Sequence, residues 1–343
     1  MKINTIHNCD CLLGLRGLPD NSVDCCVTSP PYYGLRDYGM EGQIGLEKTP
    51  AAFIDRLVEA FHEVRRVLKP DGTLWVNIGD SYAGSGKGGA RYPDNAAKYK
   101  QGTSKGTLAH GTLIKPTFQN IKPKDLIGIP WMLAFALRTD GWYLRQDIIW
   151  SKPNPMPESV TDRCTKAHEY IFLLSKSKRY YFNNEAIKQM AKESTMRRIE
   201  QDVENQAGSI RVLGKTNGRM KAVIGGLKRQ NANNSLDPDN PMSRSNTHRE
   251  FAYTPHANKR SVWEVPTVGT KEAHFATYPE KLIVDCIKAG CPENGVVLDP
   301  FMGSGTTAIV ARKLNRNYIG YELNPDYIHI AERRIHSEIG IFQ

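Results

Sequence analysis

The sequence predicts an α/β domain in which helices cover both faces of a parallel sheet, with two basic inserts in the chain. Short apolar strands alternate with segments whose apolar residues recur at helical spacing, a pattern typical of parallel sheets. Segments 81–125 and 185–262, in contrast, are polar and show no such period. The length of 343 residues suits one large domain with an appended region.

The N-terminal part is predicted to form a strand, a helix and a second strand. Residues 23–28 are a short run of small and β-branched side chains that stops at a pair of prolines. Residues 51–68 carry apolar side chains at helical spacing. The helix is predicted to end at the Lys-Pro-Asp-Gly turn of residues 69–72, and residues 73–78 form the next predicted strand.

Regular structure is predicted to resume after the first insert. Residues 129–139 indicate a helix, and residues 143–150 and 169–175 indicate two strands. Segment 185–262 is rich in Asn, Ser and Gly and is predicted to be a separate, less regular region. Residues 278–342 then indicate a helix, a strand, a helix, a strand and a helix.

The composition argues against a membrane, secreted or zinc-binding protein. No stretch approaches the roughly 18 apolar residues that a membrane helix needs. Residues 1–6 contain neither a long apolar core nor a small-residue cleavage site, so we expect a cytoplasmic protein without a signal peptide. None of the seven cysteines forms a C-x-x-C pair, so no metal site is predicted and the thiols are expected to stay reduced.

The positive charge is concentrated in the two inserts. The formal net charge is +10, and segments 81–125 and 185–262 each carry a net +6, so the remainder is slightly acidic at −2. Scattered solubilising lysines are the alternative explanation. Their concentration in the segments least able to form a core favours a polyanion as partner.

A strand, a glycine-rich turn and a helix follow one another in Val-Val-Leu-Asp-Pro-Phe-Met-Gly-Ser-Gly-Thr-Thr, residues 296–307. Gly303 and Gly305 would let a ligand approach the backbone at the carboxyl end of the strand. A second strand, residues 318–321, ends in Glu322, about 20 residues past the glycines, where a carboxylate can hold a ribose by its hydroxyls. A structural turn followed by a surface glutamate is the simpler alternative.

The charge at the entry of this turn narrows the choice of ligand. Asp299 places a carboxylate there, which would repel a pyrophosphate but would suit an α-ammonium group. The motif therefore favours a nucleoside that carries an amino acid, namely S-adenosylmethionine.

The second motif, Thr-Ser-Pro-Pro-Tyr at residues 28–32, follows the first strand directly. Pro30 and Pro31 lack N–H groups, so they hold carbonyl oxygens in place without competing donors. The Ser29 hydroxyl and the Pro30 carbonyl can accept hydrogen bonds from an amine, and Tyr32 can stack on a base. Acceptors on both amine hydrogens would favour the pyramidal geometry that attacks a sulfonium methyl group. By itself, the pentapeptide could also be a strand end stopped by two prolines.

Together the two motifs resemble the amino-methyltransferases of bacterial restriction–modification systems and phages. Their order, with the catalytic motif before the glycine motif, is similar to that of the beta class of the family. The resemblance covers residues 1–80, 126–184 and 263–343. It implies a Rossmann-like, S-adenosylmethionine-dependent methyltransferase fold that is circularly permuted and carries a less regular target-recognition insert.

The same resemblance implies a division of the chain. Residues 1–184 would be the catalytic part, with a basic mobile loop at 81–125. Residues 185–262 would be the target-recognition region, and residues 263–343 the cofactor-binding part.

The resemblance also assigns roles to individual residues. Asp10 would contact the adenine of the cofactor, Glu322 its ribose and Thr277 its methionine end. The strand end at residues 150–154 would lie beside the target base. The implied catalytic residues are Ser29, Pro30, Pro31 and Tyr32, and the implied cofactor-binding residues are Asp10, Thr277, Asp299, Phe301, Gly303, Gly305, Thr306 and Glu322.

Basic side chains of the inserts are the candidates for contacts to double-stranded DNA. Those of the first insert would bind phosphates, and those of the second would influence which sequence is methylated. The candidates are Lys87, Arg91, Lys98, Lys100, Arg211, Lys215, Arg219, Lys228 and Arg229.

In the family, Ser-Pro-Pro-Tyr tends to accompany methylation of cytosine N4 and Asp-Pro-Pro-Tyr that of adenine N6, so we expect cytosine N4, with adenine N6 as the alternative. Methylation of cytosine C5 fits poorly, because no proline is followed by the cysteine nucleophile it needs. RNA or protein-amide methylation, and a nucleic-acid-binding module with a decayed site, are more distant alternatives. A cognate restriction endonuclease acting separately is a possible partner, and both a monomer and a homodimer are compatible with the sequence.

Overall fold

The fold is taken from a computed structural model, which describes residues 1–35, 38–83, 120–194, 256–268 and 278–340. The chain divides into two compact units, Met1–Ile187 with Arg260–Gln343, and Lys188–Lys259. In the second unit, the described residues include the short antiparallel pair of Gln189–Met190 and His256–Ala257. The first unit contains the large sheet and both motifs.

The first unit alternates strands and helices along the chain. In order, its elements are β1 Thr5–Asn8, α1 Cys11–Arg16, β2 Val23–Thr28, α2 Pro50–Val67, β3 Leu68–Ile78, α3 Ile129–Thr139, β4 Tyr143–Ser151, β5 His168–Ser175, a 3₁₀ turn at Glu185–Ile187, β6 Val262–Glu264, α4 Glu280–Gly290, β7 Val296–Asp299, α5 Thr306–Lys313, β8 Asn317–Glu322 and α6 Pro325–Ile339.

Eight strands form one sheet in the order β1-β8-β7-β2-β3-β5-β4-β6. All neighbouring pairs are parallel except those of β5, which runs antiparallel to both β3 and β4. The sheet is therefore parallel, as predicted, except at this strand. The reason lies in the connections: α3 crosses over between β3 and β4, whereas residues 152–167 return from β4 to β5 without a helix.

Apolar side chains are buried on both faces of the sheet, as predicted. On one face, α1, α2 and α3 pack through side chains such as Leu15, Phe61 and Leu133. On the other, α4 and α5 pack through side chains such as Ile287 and Ala308. Because helices cover both faces of the sheet, a ligand can reach the backbone at the carboxyl ends of the strands.

Helix α2 shows how closely the local sequence determines an element. Thr49 caps its first turn by accepting a hydrogen bond from the N–H of Ala52, and Pro50 fits the first turn because it has no N–H to leave unpaired. Residues 69–72, which were predicted to be a turn, lie inside β3. They form an irregularity in that strand, where its register with β2 is shifted. Elements β1 and α1 were not predicted, since four and six residues are too few to show a period.

Among the described residues, no helix is long and apolar enough to cross a membrane. In the same part of the chain, no group of three or more His, Cys, Asp or Glu side chains could hold a metal ion.

Candidate active site

Both sequence motifs lie at one edge of the sheet, where the parallel strands end. The glycine motif follows β7, Glu322 ends β8, and Ser29 follows β2 directly. One cavity, about 1190 Å³ including its open mouth, is lined from both motifs. A ligand held by the glycine motif can therefore lie beside the Ser-Pro-Pro-Tyr motif.

Most of the predicted cofactor residues line this cavity. Five of the eight do so: Asp10, Phe301, Gly303, Thr306 and Glu322. All four predicted catalytic residues also line it, namely Ser29, Pro30, Pro31 and Tyr32. Thr277 lies outside the described residues.

Asp299 lies behind the cavity wall, whereas the sequence predicted that its carboxylate faces an ammonium group. The residue is 1% exposed. One of its oxygens accepts from Thr28 Oγ1 at 2.6 Å and from the N–H of Phe301 at 3.0 Å. The hydroxyls of Thr307 and Tyr278 lie 2.5 Å and 3.2 Å from the other oxygen and also bond one another, so one of their two protons joins the hydroxyls and the other reaches the carboxylate. In this arrangement Asp299 fixes the shape of the loop, because a buried carboxylate with three donors has little capacity left for a ligand.

The two glycines of the motif differ in what their missing side chains make room for. Gly303 has φ of +54°, and a Cβ atom there would meet nothing closer than 4.0 Å, so the space beside it belongs to the cavity. Gly305 has φ of +82°, and a Cβ atom would lie 2.8 Å from the Cβ of Ala331 in α6. Gly305 therefore permits the packing of α6, and it is not among the residues that line the cavity.

Glu322 connects the end of β8 to the glycine loop. One carboxylate oxygen accepts from the N–H of Gly303 at 2.8 Å, and the other from the N–H of Asn324 at 2.8 Å. Burial raises the pKa of Glu322, although these backbone bonds oppose the rise. Each oxygen has a further lone pair, so the carboxylate can still accept bonds from ribose hydroxyls.

The remaining cavity wall suits an adenosine. Asp10 caps α1 through Oδ1, which accepts from the N–H groups of Leu12 and Leu13. Phe301 and Met302 add apolar surface beside the two carboxylates. Two carboxylates can accept hydrogen bonds from the ribose hydroxyls and the adenine amine of S-adenosylmethionine, and the apolar surface between them can contact its flat adenine ring.

Several residues of the wall were missed by the sequence analysis. They come from the loop before α2, the residue that caps α6 and the first turn of α6, where no motif marks them: Leu35, Tyr38, Met40, Gly42, Gln43, Ile44, Asn324 and Tyr327. Tyr278 is a further lining residue, and its hydroxyl lies within hydrogen-bond distance of both Thr307 and Asp299.

The Ser-Pro-Pro-Tyr motif is supported by neighbouring strands. Tyr32 Oη donates to Glu169 Oε2 at 2.6 Å, and its ring lies against Gly79, where a Cβ atom would be 2.7 Å from Cε2. Burial, and then the charge of Glu169, raise the pKa of Tyr32 well above its usual value, so the hydroxyl stays protonated. Lys152, just after the end of β4, binds the other oxygen of Glu169 and lies over the ring of Trp150.

Lys166 contributes a second positive charge near this cluster. Its Nζ atom is buried and has no hydrogen-bond partner among the described residues. Desolvation lowers the pKa of Lys166, and the charges of Asp80 and Glu169 oppose that shift. The nine basic candidates for DNA contacts, from Lys87 to Arg229, all lie outside the described residues.

Comparison with known proteins identifies the family. The family model described as DNA methylase of the N6/N4 type matches residues 23–333. The type II methyltransferase M.Cfr9I of Citrobacter freundii is 43% identical over 335 residues, which cover 97% of this chain and 88% of that protein. The type II methyltransferase M.SmaI of Serratia marcescens is 40% identical, with coverage of 97% and 92%.

Two solved structures share the fold. The PvuII DNA methyltransferase, described as cytosine-N4-specific, superimposes with a TM-score of 0.56 at 15% identity and covers 98% of this chain and 91% of its own. The DNA modification methylase candidate TTHA0409 of Thermus thermophilus, in complex with S-adenosyl-L-methionine, gives 0.54 at 22% identity, with coverage of 98% and 95%. The chain therefore belongs to the N6/N4 family of DNA methylases, enzymes that methylate DNA with S-adenosylmethionine as cofactor.

Proposed function

We propose that this methyltransferase modifies the exocyclic N4 amine of a cytosine that has left the DNA stack. The single observation that carries the proposal is that Ser29 and the glycine loop line one cavity. The amine of a paired base is inaccessible, so the base must flip out before it can reach that cavity.

The residues of the motif supply what the amine lacks. Its lone pair is delocalised into the ring, which makes it a poor nucleophile. The Ser29 hydroxyl and the Pro30 carbonyl accept hydrogen bonds from the two N–H groups of the amine. These bonds favour the pyramidal geometry, in which the lone pair is no longer delocalised and can attack the methyl group. The cofactor, when bound, would supply the methyl group on a sulfonium. As the N–C bond forms the S–C bond breaks and leaves a neutral thioether, and the methylated amine then loses one proton to solvent. Tyr32 holds the plane of the base by stacking.

The cofactor residues follow from the same cavity. Glu322 would hold the ribose, Asp10 the adenine amine, and Phe301 the flat face of the ring. Gly303 would allow the ligand to approach the loop closely. Thr306, at the start of α5, would line the cavity beside it. Thr277 would lie toward the methionine end.

Cytosine is favoured over adenine by the acceptor in the motif. Ser29 occupies the position that is aspartate in the adenine-specific pattern, and the cytosine-N4-specific PvuII methyltransferase shares the fold. The test is transfer of labelled methyl groups to unmethylated DNA, followed by digestion to nucleosides. Label in N4-methylcytosine supports the proposal, and label in N6-methyladenine corrects the base. Label transferred only to RNA or protein overturns it.

We further propose that the two basic segments bind the DNA backbone and read its sequence, with residues 185–262 as the target-recognition region between the catalytic part, 1–184, and the cofactor-binding part, 263–343. Neutralising Lys87, Arg91, Lys98 and Lys100 should flatten the salt dependence of DNA affinity by about one log-slope unit per lost phosphate contact. An unchanged slope would remove segment 81–125 from the interface.

As a type II enzyme, the protein would act in the cytoplasm, alone or as a homodimer, with a separate restriction endonuclease for the same sequence.

A further inference from the structure

Asn77 lies behind the Ser-Pro-Pro-Tyr motif, although it is remote from it in sequence. It is the next-to-last residue of β3 and is 4% exposed. Its Nδ2 donates to Glu169 Oε2 at 3.3 Å and to the carbonyl oxygen of Tyr170 at 3.1 Å. Since only the amide nitrogen can donate to two acceptors, the orientation of the amide is fixed and its Oδ1 faces the hydroxyls of Ser29 and Tyr32.

The tyrosine and the serine do not compete for this oxygen. Tyr32 has one hydroxyl proton, and Glu169 Oε2 at 2.6 Å is a nearer and charged acceptor than Asn77 Oδ1 at 3.4 Å. Oδ1 is thereby left to accept a long contact from Ser29 Oγ, at 3.5 Å, and the Tyr32 oxygen is a second acceptor within reach of Ser29. A serine proton directed to either acceptor points into the protein and leaves the lone pairs of its oxygen toward the cavity.

The direction of that proton matters for the chemistry. If the serine proton turned toward the target amine, it would bond the lone pair that has to attack the methyl group. We propose that Asn77 and Glu169 are positioning residues that keep Ser29 a hydrogen-bond acceptor during methyl transfer. This inference rests on the proposed function, in which Ser29 accepts a hydrogen from the amine.

The chain of bonds also strengthens the acceptor. The carboxylate of Glu169 polarises the amide of Asn77, and the amide oxygen in turn polarises the hydroxyl of Ser29, because successive hydrogen bonds reinforce one another in a buried site. Lys152 binds the outer oxygen of Glu169 and holds it in place. Strands β2, β3, β4 and β5 each contribute to this arrangement at their shared edge.

The test is a double-mutant cycle on single-turnover methyl transfer, with DNA and cofactor saturating. Asn77→Ala and Glu169→Gln are each expected to slow transfer on the order of tenfold, while cofactor affinity stays unchanged. In a Ser29→Ala background, Asn77→Ala should not slow the residual rate further, because no serine hydroxyl remains to be oriented, and Glu169→Gln should slow it by no more than the few-fold expected from its weaker bond to Tyr32. The Glu63→Gln variant is the matched control, since that carboxylate is similarly shielded and paired with Arg66 on α2, and it should transfer at the native rate.

A second cycle uses an acceptor that has no proton to misdirect. In a Ser29→Asp background, Asn77→Ala should cost less than about threefold, compared with about tenfold beside the native serine. Equal losses in the serine, alanine and aspartate backgrounds would show that Asn77 only supports the structure and would overturn the inference.

Failure of this inference can be told apart from failure of the proposed function. Native transfer rates in both Asn77→Ala and Glu169→Gln, with a slow Ser29→Ala, would remove the positioning role and leave Ser29 catalytic. A native rate in Ser29→Ala itself would remove the proposed mechanism. If Asn77→Ala lowers the melting temperature too far for assay, Glu169→Gln tests the other end of the same chain of bonds.

Discussion

The cofactor loop and the amine-acceptor motif occupy the same edge of the sheet but are built over different distances in sequence. Most bonds of the cofactor loop are local: Asp299 is bonded by Phe301 and Thr307 within eight residues, and Gly303 reaches Glu322 after nineteen. Only Thr28, at the end of β2, bonds Asp299 from a distant part of the sequence. Ser29, in contrast, is supported by Asn77 and, through it, by Glu169. A site assembled mostly from local bonds can therefore be recognised as a motif, whereas a site supported by remote strands is only partly visible in the sequence.

The largest expected effect is on the amine-acceptor side. Ser29→Ala should slow single-turnover methyl transfer on the order of 100-fold, by analogy with loss of one stabilising hydrogen bond in a transition state. Cofactor affinity by calorimetry should not change, because the serine bond matters most as the amine develops charge. Ser22→Ala, which removes an exposed hydroxyl bonded only locally to Pro19, is the control. A native transfer rate in Ser29→Ala would contradict the assignment of the motif.

On the cofactor side, the two glycines should separate binding from packing. Gly303→Ala should abolish most cofactor binding, since its side chain would enter the cavity, and it shares with Gly305→Ala the strain of a positive φ. Gly305→Ala should instead lower the free energy of unfolding by about 1–3 kcal/mol through the contact with Ala331. Calorimetric affinity and thermal melting of both variants measure the two effects. The distinction between the glycines is lost if both variants lose affinity and stability in the same proportion.

Glu322 should make cofactor binding sensitive to pH. Glu322→Gln is expected to weaken binding by about 1–3 kcal/mol, the loss typical of a charge-assisted hydrogen bond. Because burial raises the pKa of Glu322, its carboxylate protonates at a higher pH than an ordinary glutamate as the pH falls. Affinity of the native protein should therefore decline on acidification before that of an exposed carboxylate site would.

Titration calorimetry at several pH values checks this prediction. The Glu322→Gln variant should show a weaker affinity that no longer follows this protonation, and Glu332→Gln, which changes an exposed carboxylate on α6, should behave as the native protein does. A pH profile that survives unchanged in Glu322→Gln would assign the dependence to another group.

The smallest effect is expected at the Tyr32 hydroxyl. Tyr32→Phe keeps the aromatic face and the contact with Gly79 but loses the bond to Glu169, so transfer should slow only a few-fold. Tyr32→Ala should weaken binding of DNA with a flipped or mispaired target by about 1–3 kcal/mol, the worth of a stacked base. Equal DNA affinity of the alanine and phenylalanine variants would argue against stacking.

The order of strands and helices was largely predictable, because periodicity reports which face of an element is buried. Residues 129–139 form the predicted helix, and β2 spans the predicted residues 23–28. The direction of β5 was not predictable, because a strand has the same alternation whichever way it runs. That direction depends on whether its connection crosses the sheet, and residues 152–167 carry no periodic signal.

The sequence by itself determined the chemistry of the two motifs. The cofactor motif combines the carboxylates of Asp299 and Glu322 with a glycine turn, and the amine-acceptor motif combines the Ser29 hydroxyl with two prolines. Only the tertiary structure decided that Asp299 supports the loop from behind and that Gly305 packs against Ala331. It also placed Asn77 and Glu169 behind Ser29. The physical reason is that a motif specifies its own local backbone, whereas a side chain's partners depend on which remote strands the fold brings to the same edge.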